Sequence, residues 1–145
     1  MAVRLPAIAQ RNRTVREFPL DSAATFVHGA AALVDTADGE VVEAGTDPAL
    51  ILGFAEHDAA ADPLTTIVLV AVALPTSTFL IEASAALVAS DVGKSYGLTK
   101  DGTSGVWFLD KAKTGASARA LVEEVDLTRA LAEISILQTN RQFDQ

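Results

Sequence analysis

The sequence predicts a mainly β protein: a small β-sandwich or β-barrel-like (β-tulip-like) domain with at most one or two short helices. From residue 18 onward, short apolar runs alternate with Gly, Asp, Asn and Pro turn signals. The longest apolar run is rich in β-branched side chains, which suit a pleated strand. The apolar half of the composition is mostly Ala, Val, Leu and Ile, with only 6% aromatic residues. A chain of 145 residues has the usual size of one domain.

The N-terminal residues 1–17 are interpreted as an extended arm, and residues 18–145 as a single β-rich domain. The arm contains Pro6, has no clear period, and carries four Arg and one Glu. Residues 18–93 carry eleven acidic residues and neither Lys nor Arg, so the body is strongly acidic. We expect the arm to order on a partner protein and to be dispensable for the stability of the domain. The residues expected to bind the partner are Arg4, Leu5, Ile8, Arg11, Arg13 and Arg16.

The first elements of the body are predicted by turn chemistry. Residues 31–34 and 41–43 flank Asp38-Gly39, a strong hairpin signal. Residues 50–55 form another short apolar run. Residues 65–74, TTIVLVAVAL, are predicted to form a buried central strand that ends at Pro75.

The second half continues the same pattern with one ambiguous stretch. Strands are predicted at residues 78–82, 95–99 and 106–109, and a short helix or a loop at residues 83–90. Residues 118–137 fit either a helix or strands. The alternation of apolar Ile with polar Glu and Ser at residues 133–136 favours strands.

Composition and charge exclude several classes of protein. The absence of Cys rules out disulfides and thiolate metal sites. The net charge of −8 disfavours nucleic-acid binding, because an acidic surface repels phosphates. No apolar run approaches the roughly 18 to 20 residues of a membrane helix, so no membrane partner is expected.

Residue types that could support catalysis or metal binding do not form a recognisable motif. The tripeptide Glu-His-Asp at 56–58, with Asp62 nearby, could supply a base or ligands, but neighbouring residues on a strand point to opposite faces. Asp21, Ser22 and His28 are the three residue types of a hydrolytic triad. The sequence around Ser22 is not a nucleophile-elbow motif, so these residues do not indicate a triad. We therefore predict no catalytic residue, no metal and no cofactor.

Trp107 and Phe108 are the adjacent aromatic pair of a predicted strand, so one should face the core and the other the opposite side. An exposed ring would be a natural anchor at an interface, and Trp107 is the candidate. The alternative is that the outward ring packs beneath another segment.

Two longer stretches resemble a known family. The segment GAAALVDTADGEVVEAGTDPALILGFAEHDA resembles the opening of bacteriophage head decoration (capsid cement) proteins, in which a strand and hairpin precede a short run and an acidic loop. PTSTFLIEAS and DVGKSYGLTKDGTSGVWFLDKAKTG are similar to later strands of that family. The resemblance covers most of residues 20–138.

The resemblance implies a structural protein that binds the outer surface of an assembled phage head and bridges subunits of the major capsid protein. It implies synthesis in the bacterial host cytoplasm, a final location on the virion, and a homo-oligomer, with a trimer favoured over a dimer. Two other classes stay open: a different phage structural β module, from a tail or baseplate, and a small β-barrel hydrolase. Nucleotide-binding motifs expected of such a hydrolase are missing from the sequence.

Overall fold

Two antiparallel sheets, not closed into a barrel, make up the fold in a computed structural model that describes residues 4–60 and 64–144. The prediction of a mainly β protein is confirmed. The strands are β1 (Ile8–Arg11), β2 (Val15–Pro19), β3 (Ala31–Val34), β4 (Val41–Glu43), β5 (Gly53–Ala55), β6 (Ile67–Val72), β7 (Thr78–Glu82), β8 (Ser95–Lys100), β9 (Trp107–Asp110), β10 (Ala120–Asp126) and β11 (Leu131–Ile136).

The sheets pack on each other around one apolar core. The first sheet has the order β1-β7-β11-β10-β8-β9, and the second has the order β2-β6-β5-β3-β4. Phe54 of β5 meets Phe79 of β7 edge to face, with ring centroids 4.7 Å apart. Both rings are almost fully buried, so this aromatic pair joins the two sheets at the centre of the core.

Several predicted elements are confirmed at their predicted positions. β3 and β4 form the hairpin around Asp38-Gly39, and Gly39 adopts a φ of +78°, which a side chain would disfavour. β6 lies inside its sheet between β2 and β5. The ambiguous tail forms β10 and β11, because Ala132, Ile134 and Ile136 alternate into the core.

Helical structure is limited to short turns, in keeping with the prediction of at most one or two short helices. The described residues contain four 3-10 turns of three residues each. Residues 83–90 form mostly a loop that leads into the first of these turns. The turns are Ala89–Asp91, Gly115–Ser117, Gln138–Asn140 and Gln142–Asp144.

The N-terminal segment is part of both sheets, so the prediction of an arm outside the fold is wrong. β1 pairs with β7 at the edge of the first sheet, and β2 pairs with β6 at the edge of the second. The predicted boundary at residue 17 falls inside β2. Most side chains of β1 and β2 are exposed, so the segment lacks the apolar alternation from which strands are recognised.

Close packing also ties this segment to the body. Gly29 lies directly beneath Pro6 and Ala7, and a Cβ added there would stand 2.7 Å from the Ala7 nitrogen. Ala7 itself is buried. The chain before β1 therefore follows a path that only glycine at position 29 leaves open.

The C-terminal segment is joined to the second sheet by hydrogen bonds. Ile51 donates its N–H to the Asn140 carbonyl, and Gln142 donates its N–H to the Ile51 carbonyl. The side-chain amide of Gln142 accepts from Val34 N and donates to Val34 O, as a neighbouring strand would. This amide satisfies the last backbone groups of β3.

Candidate protein-binding surfaces

The Glu-His-Asp tripeptide at residues 56–58 is held in ordinary structural contacts. His57 Nε2 accepts a hydrogen bond from Leu69 N at 3.1 Å, so the ring proton sits on Nδ1 and is donated to the Asp58 carbonyl at 2.9 Å. Glu56 pairs with Arg13 at 3.0 Å. Both ring nitrogens of His57 are thus occupied by backbone groups. Asp62 lies outside the described residues.

Asp21 and His28, whose residue types match a hydrolytic triad, lie in turns and loops. The Asp21 carboxylate accepts from Ala23 N at 2.7 Å, two residues along the chain. The backbone N–H of His28 donates to the Asp58 carboxylate at 2.7 Å. These contacts are turn and loop contacts of the kind that Asp often makes.

An acidic patch lies beside the β3–β4 turn. Carboxylate oxygens of Asp21, Asp38 and Glu40 lie within 4.8 Å of one another. No Lys or Arg in the described part of the chain forms an ion pair with these three or with Asp35 in the same turn. The patch is a concentration of uncompensated negative charge at the surface.

The arginines predicted to bind a partner form contacts within the chain. Arg4 pairs with Asp101 at 3.1 Å, and its guanidinium lies 4.1 Å from the centroid of the Phe108 ring. Hydrogen bonds from the Thr103 and Ser104 N–H groups, helped by Arg4, hold the pKa of Asp101 below its usual range. Arg13 pairs with Glu56, and Arg16 lies 5.9 Å from the Phe143 ring.

Arg11 forms the most deeply placed of these contacts. Its Nε lies 2.8 Å from the Oε2 of Glu133, a residue of β11 that is only 5% exposed. Its Nη2 lies 3.2 Å from Glu124 on β10. Glu133 Oε2 has no hydrogen bond of regular geometry, so the contact is a close ion pair across the outer face of the first sheet.

The outer edge of β1 is the part of the predicted binding segment that stays open. β1 is the terminal strand of its sheet and, among the described strands, pairs only with β7. Leu5 is 55% exposed and Ile8 is 44% exposed. An edge strand with exposed apolar side chains is a template for pairing with another chain.

Trp107 is buried, so the prediction of an interface ring at this position is wrong. The ring is 2% exposed, and its Nε1 donates to Glu43 of β4 at 2.9 Å. Lys100 binds the other Glu43 oxygen at 2.6 Å. Phe108 is the outward ring, and it is covered by the Arg4 guanidinium. The alternative, in which the outward ring packs beneath another segment, is the observed one.

The stretch of residues 84–92 forms an exposed apolar loop that the sequence indicated only as a short helix or a loop. We name it the apolar loop. Val88 and Val92 are 49% and 48% exposed. The single charged residue in the loop, Asp91, is buried. The chain has a net charge of −8, so an exposed segment whose only charged residue is buried is unusual. The lack of other charges in this stretch is visible in the sequence and could have indicated a binding surface.

A buried network holds the apolar loop from below. Asp91 accepts hydrogen bonds from Tyr96 Oη at 2.7 Å, Lys111 Nζ at 2.8 Å and the Val88 N–H at 2.8 Å. Lys111 also donates to the Ala86 carbonyl at 2.7 Å. Burial raises the pKa of Asp91, but the hydrogen bonds from Lys111, Tyr96 and Val88 outweigh it and lower the pKa to about 2. The bond to Asp91 raises the pKa of Tyr96 to about 12.

An apolar groove of about 410 Å³ lies on the second sheet beside the C-terminal segment. We name it the β3–β4 groove. It is lined by Leu33, Val34, Asp35, Thr36, Val42, Gly45, Pro48, Ala49, Leu50 and Gln142. Its apolar members come from two strands and a loop, so no local pattern in the sequence could have indicated it.

No protein-family model matches this chain, and no curated protein matches it. None of the helical turns in the described part of the chain is long and apolar enough to span a membrane.

Proposed function

We propose that this protein is a non-enzymatic structural domain, and specifically a bacteriophage capsid decoration protein that binds the outside of the assembled head. The observation that carries the proposal is the outer edge of β1, which no described strand covers, with Ile8 exposed on the strand and Leu5 exposed just before it. The resemblance of residues 20–138 to capsid cement proteins supports the same conclusion. The partner would be the major capsid protein.

Binding would proceed by addition of a capsid strand to β1. Backbone hydrogen bonds would supply affinity, and pockets for alternate side chains such as Ile8 would supply specificity. The arginines are engaged within the chain, so apolar contact and strand pairing would contribute more than ion pairs. Several copies on one head, or a homo-oligomer such as a trimer, would turn weak contacts into firm retention through effective concentration.

A tail or baseplate β module could use the same edge, since strand addition is not restricted to capsids. The location of the protein in purified particles separates these two roles: the head for a decoration protein, and the tail for the alternative. No specific observation favours the small β-barrel hydrolase.

The test is retention of the added protein on purified phage heads from which it has been removed. We expect wild-type protein to bind in a stoichiometric amount, and Leu5→Glu with Ile8→Glu to weaken binding at least about tenfold, because a charge must then be desolvated at the contact. Leu127→Glu is the matched control, since Leu127 is 57% exposed in the β10–β11 turn.

Two outcomes would contradict separate parts of the proposal. If wild-type protein does not bind heads, the capsid role is wrong. If the folded Leu5→Glu, Ile8→Glu variant binds as well as the wild type, the role of the β1 edge is wrong.

A further inference from the structure

We infer that copies of this chain associate by inserting the apolar loop of one copy into the β3–β4 groove of another. This contact would hold together the homo-oligomer of the proposed function, and it rests only on that self-association. Capsid binding through β1 is a separate claim on a separate surface.

The apolar loop has the properties of a preformed binding element. Its backbone is fixed by Asp91 and Lys111 from beneath, while Val88 and Val92 project to the surface. A loop that is already ordered loses little conformational entropy on binding.

The β3–β4 groove has the volume and the apolar lining to receive the loop. Its volume of about 410 Å³ is within the range of roughly 300 to 1,000 Å³ that binding pockets occupy. Leu33, Val42 and Leu50 line it and are only partly buried. Two valine side chains entering the groove would cover apolar surface on both partners.

Charge complementarity selects a second copy as the occupant. Of the four lysines, Lys94 alone forms no ion pair with a residue in the described part of the chain, and it stands exposed two residues after Val92. The groove is bordered by Asp35, and the acidic patch with Asp38 and Glu40 continues along the same turn. An unpaired cation beside the loop thus matches unpaired carboxylates beside the groove.

Loop and groove lie on different sheets, so each copy offers two different surfaces. Two copies that exchange loops reciprocally form a closed dimer, and copies joined head to tail form a larger ring. Both arrangements use the same contact. The mass of the assembly distinguishes them.

The test is sedimentation equilibrium of the full-length protein, without capsids, over a wide range of concentration. We expect the wild-type mass to rise above the 15.1 kDa of one chain. Val88→Glu in the loop and Ala49→Glu in the groove should each weaken association at least about tenfold. Leu127→Glu should associate as the wild type does, and circular dichroism checks that all variants are folded.

Mixing the two variants is the decisive experiment. The Ala49→Glu chain keeps its loop, and the Val88→Glu chain keeps its groove, so one contact is intact in the mixture. We expect the mixture to form heterodimers at least about tenfold more tightly than either variant associates with itself. Lys94→Glu should weaken association, and Lys94→Glu mixed with Asp38→Lys should recover part of it.

Three results would overturn the inference: a wild-type chain that stays at the mass of one copy at every concentration, variants that associate like the wild type, or a mixture no stronger than its components. If Val88→Glu weakens retention on heads but not self-association, the loop contacts the capsid and the inference is wrong. The three measurements of self-association do not depend on whether β1 binds the capsid.

Discussion

At the scale of single residues, Asp91 shows how one buried charge shapes a surface. The residue is 1% exposed, and its carboxylate accepts from three donors, including the Lys111 ammonium at 2.8 Å. Removing it would leave a lysine and a tyrosine hydroxyl partly buried without their partner. A buried ion pair adds little net stability while intact, but breaking it by removing one partner is costly.

We predict that Asp91→Ala lowers the free energy of unfolding by roughly 3 to 5 kcal/mol, the usual cost of an orphaned buried partner. Urea denaturation at neutral pH measures the change. Asp126→Ala is the control, because Asp126 at the end of β10 forms an ion pair with the exposed Arg129, and its loss should have a much smaller effect. Equal effects of the two substitutions would show that the network does not stabilise the loop.

The same residue predicts a pH dependence. The pKa of Asp91 falls from 3.8 to about 2 on folding, so its contribution is present above pH 4 and is lost as the pH falls through 2. The size of the shift corresponds to about 2 kcal/mol. The difference in unfolding free energy between wild type and Asp91→Asn should therefore shrink by about that amount between pH 4 and pH 2. A constant difference across this range would contradict the assignment.

At the scale of elements, β1 shows how an edge strand can be held with few apolar contacts. Three of its four residues are exposed, and its register with β7 is interrupted between Ala9 and Arg11. Arg11 compensates by reaching past β7 to the buried Glu133 of β11. The strand is fastened by the ion pairs of Arg11 with Glu133 and Glu124 and by backbone hydrogen bonds.

We predict that Arg11→Ala lowers the free energy of unfolding by roughly 1 to 2 kcal/mol, between the values for exposed and buried ion pairs, because the Arg11 side chain is 55% exposed. In a Glu133→Gln background, the same substitution should cost markedly less. A double-mutant cycle on urea midpoints measures the coupling. A coupling of zero would mean that the two side chains do not stabilise each other.

At the scale of the whole molecule, the N-terminal segment joins the two sheets. Within twelve residues it supplies an edge strand to each sheet, and Arg4 adds a contact to Asp101 beyond β8. The C-terminal segment is likewise bonded to Ile51 and Val34 of the second sheet. Both ends of the described chain are therefore bonded to the sheets and should unfold together with them.

We predict that deleting residues 1–17 lowers the melting temperature by more than about 10 °C or prevents folding, because both sheets lose paired strand at one edge. Arg13→Ala with Arg16→Ala in the full-length chain is the control, since it removes charge without removing a strand. Calorimetry measures both. A truncated domain that melts with the wild type would restore the interpretation of this segment as a detachable arm.

The elements predicted from the sequence are those whose signal is local. Asp38-Gly39 indicates a hairpin because the turn needs positive φ, and Gly39 has it. β6 and β7 follow from β-branched runs bounded by Pro75 and small residues. Alternation at Ile134 and Ile136 was enough to favour strands in the tail. Each of these signals lies within about ten residues.

The amino-acid sequence by itself determined the class of fold, the positions of most central strands and the separation of charge along the chain, because turn chemistry and side-chain period act over short distances. Only the tertiary structure decided where the N-terminal segment lies, which of Trp107 and Phe108 is covered, and how the apolar loop is held. Those outcomes depend on pairs distant in sequence, such as Arg11 with Glu133 and Trp107 with Glu43. The periodicity of neighbouring residues does not indicate which distant segment covers a strand edge. It also does not indicate which distant side chain pairs with a charge.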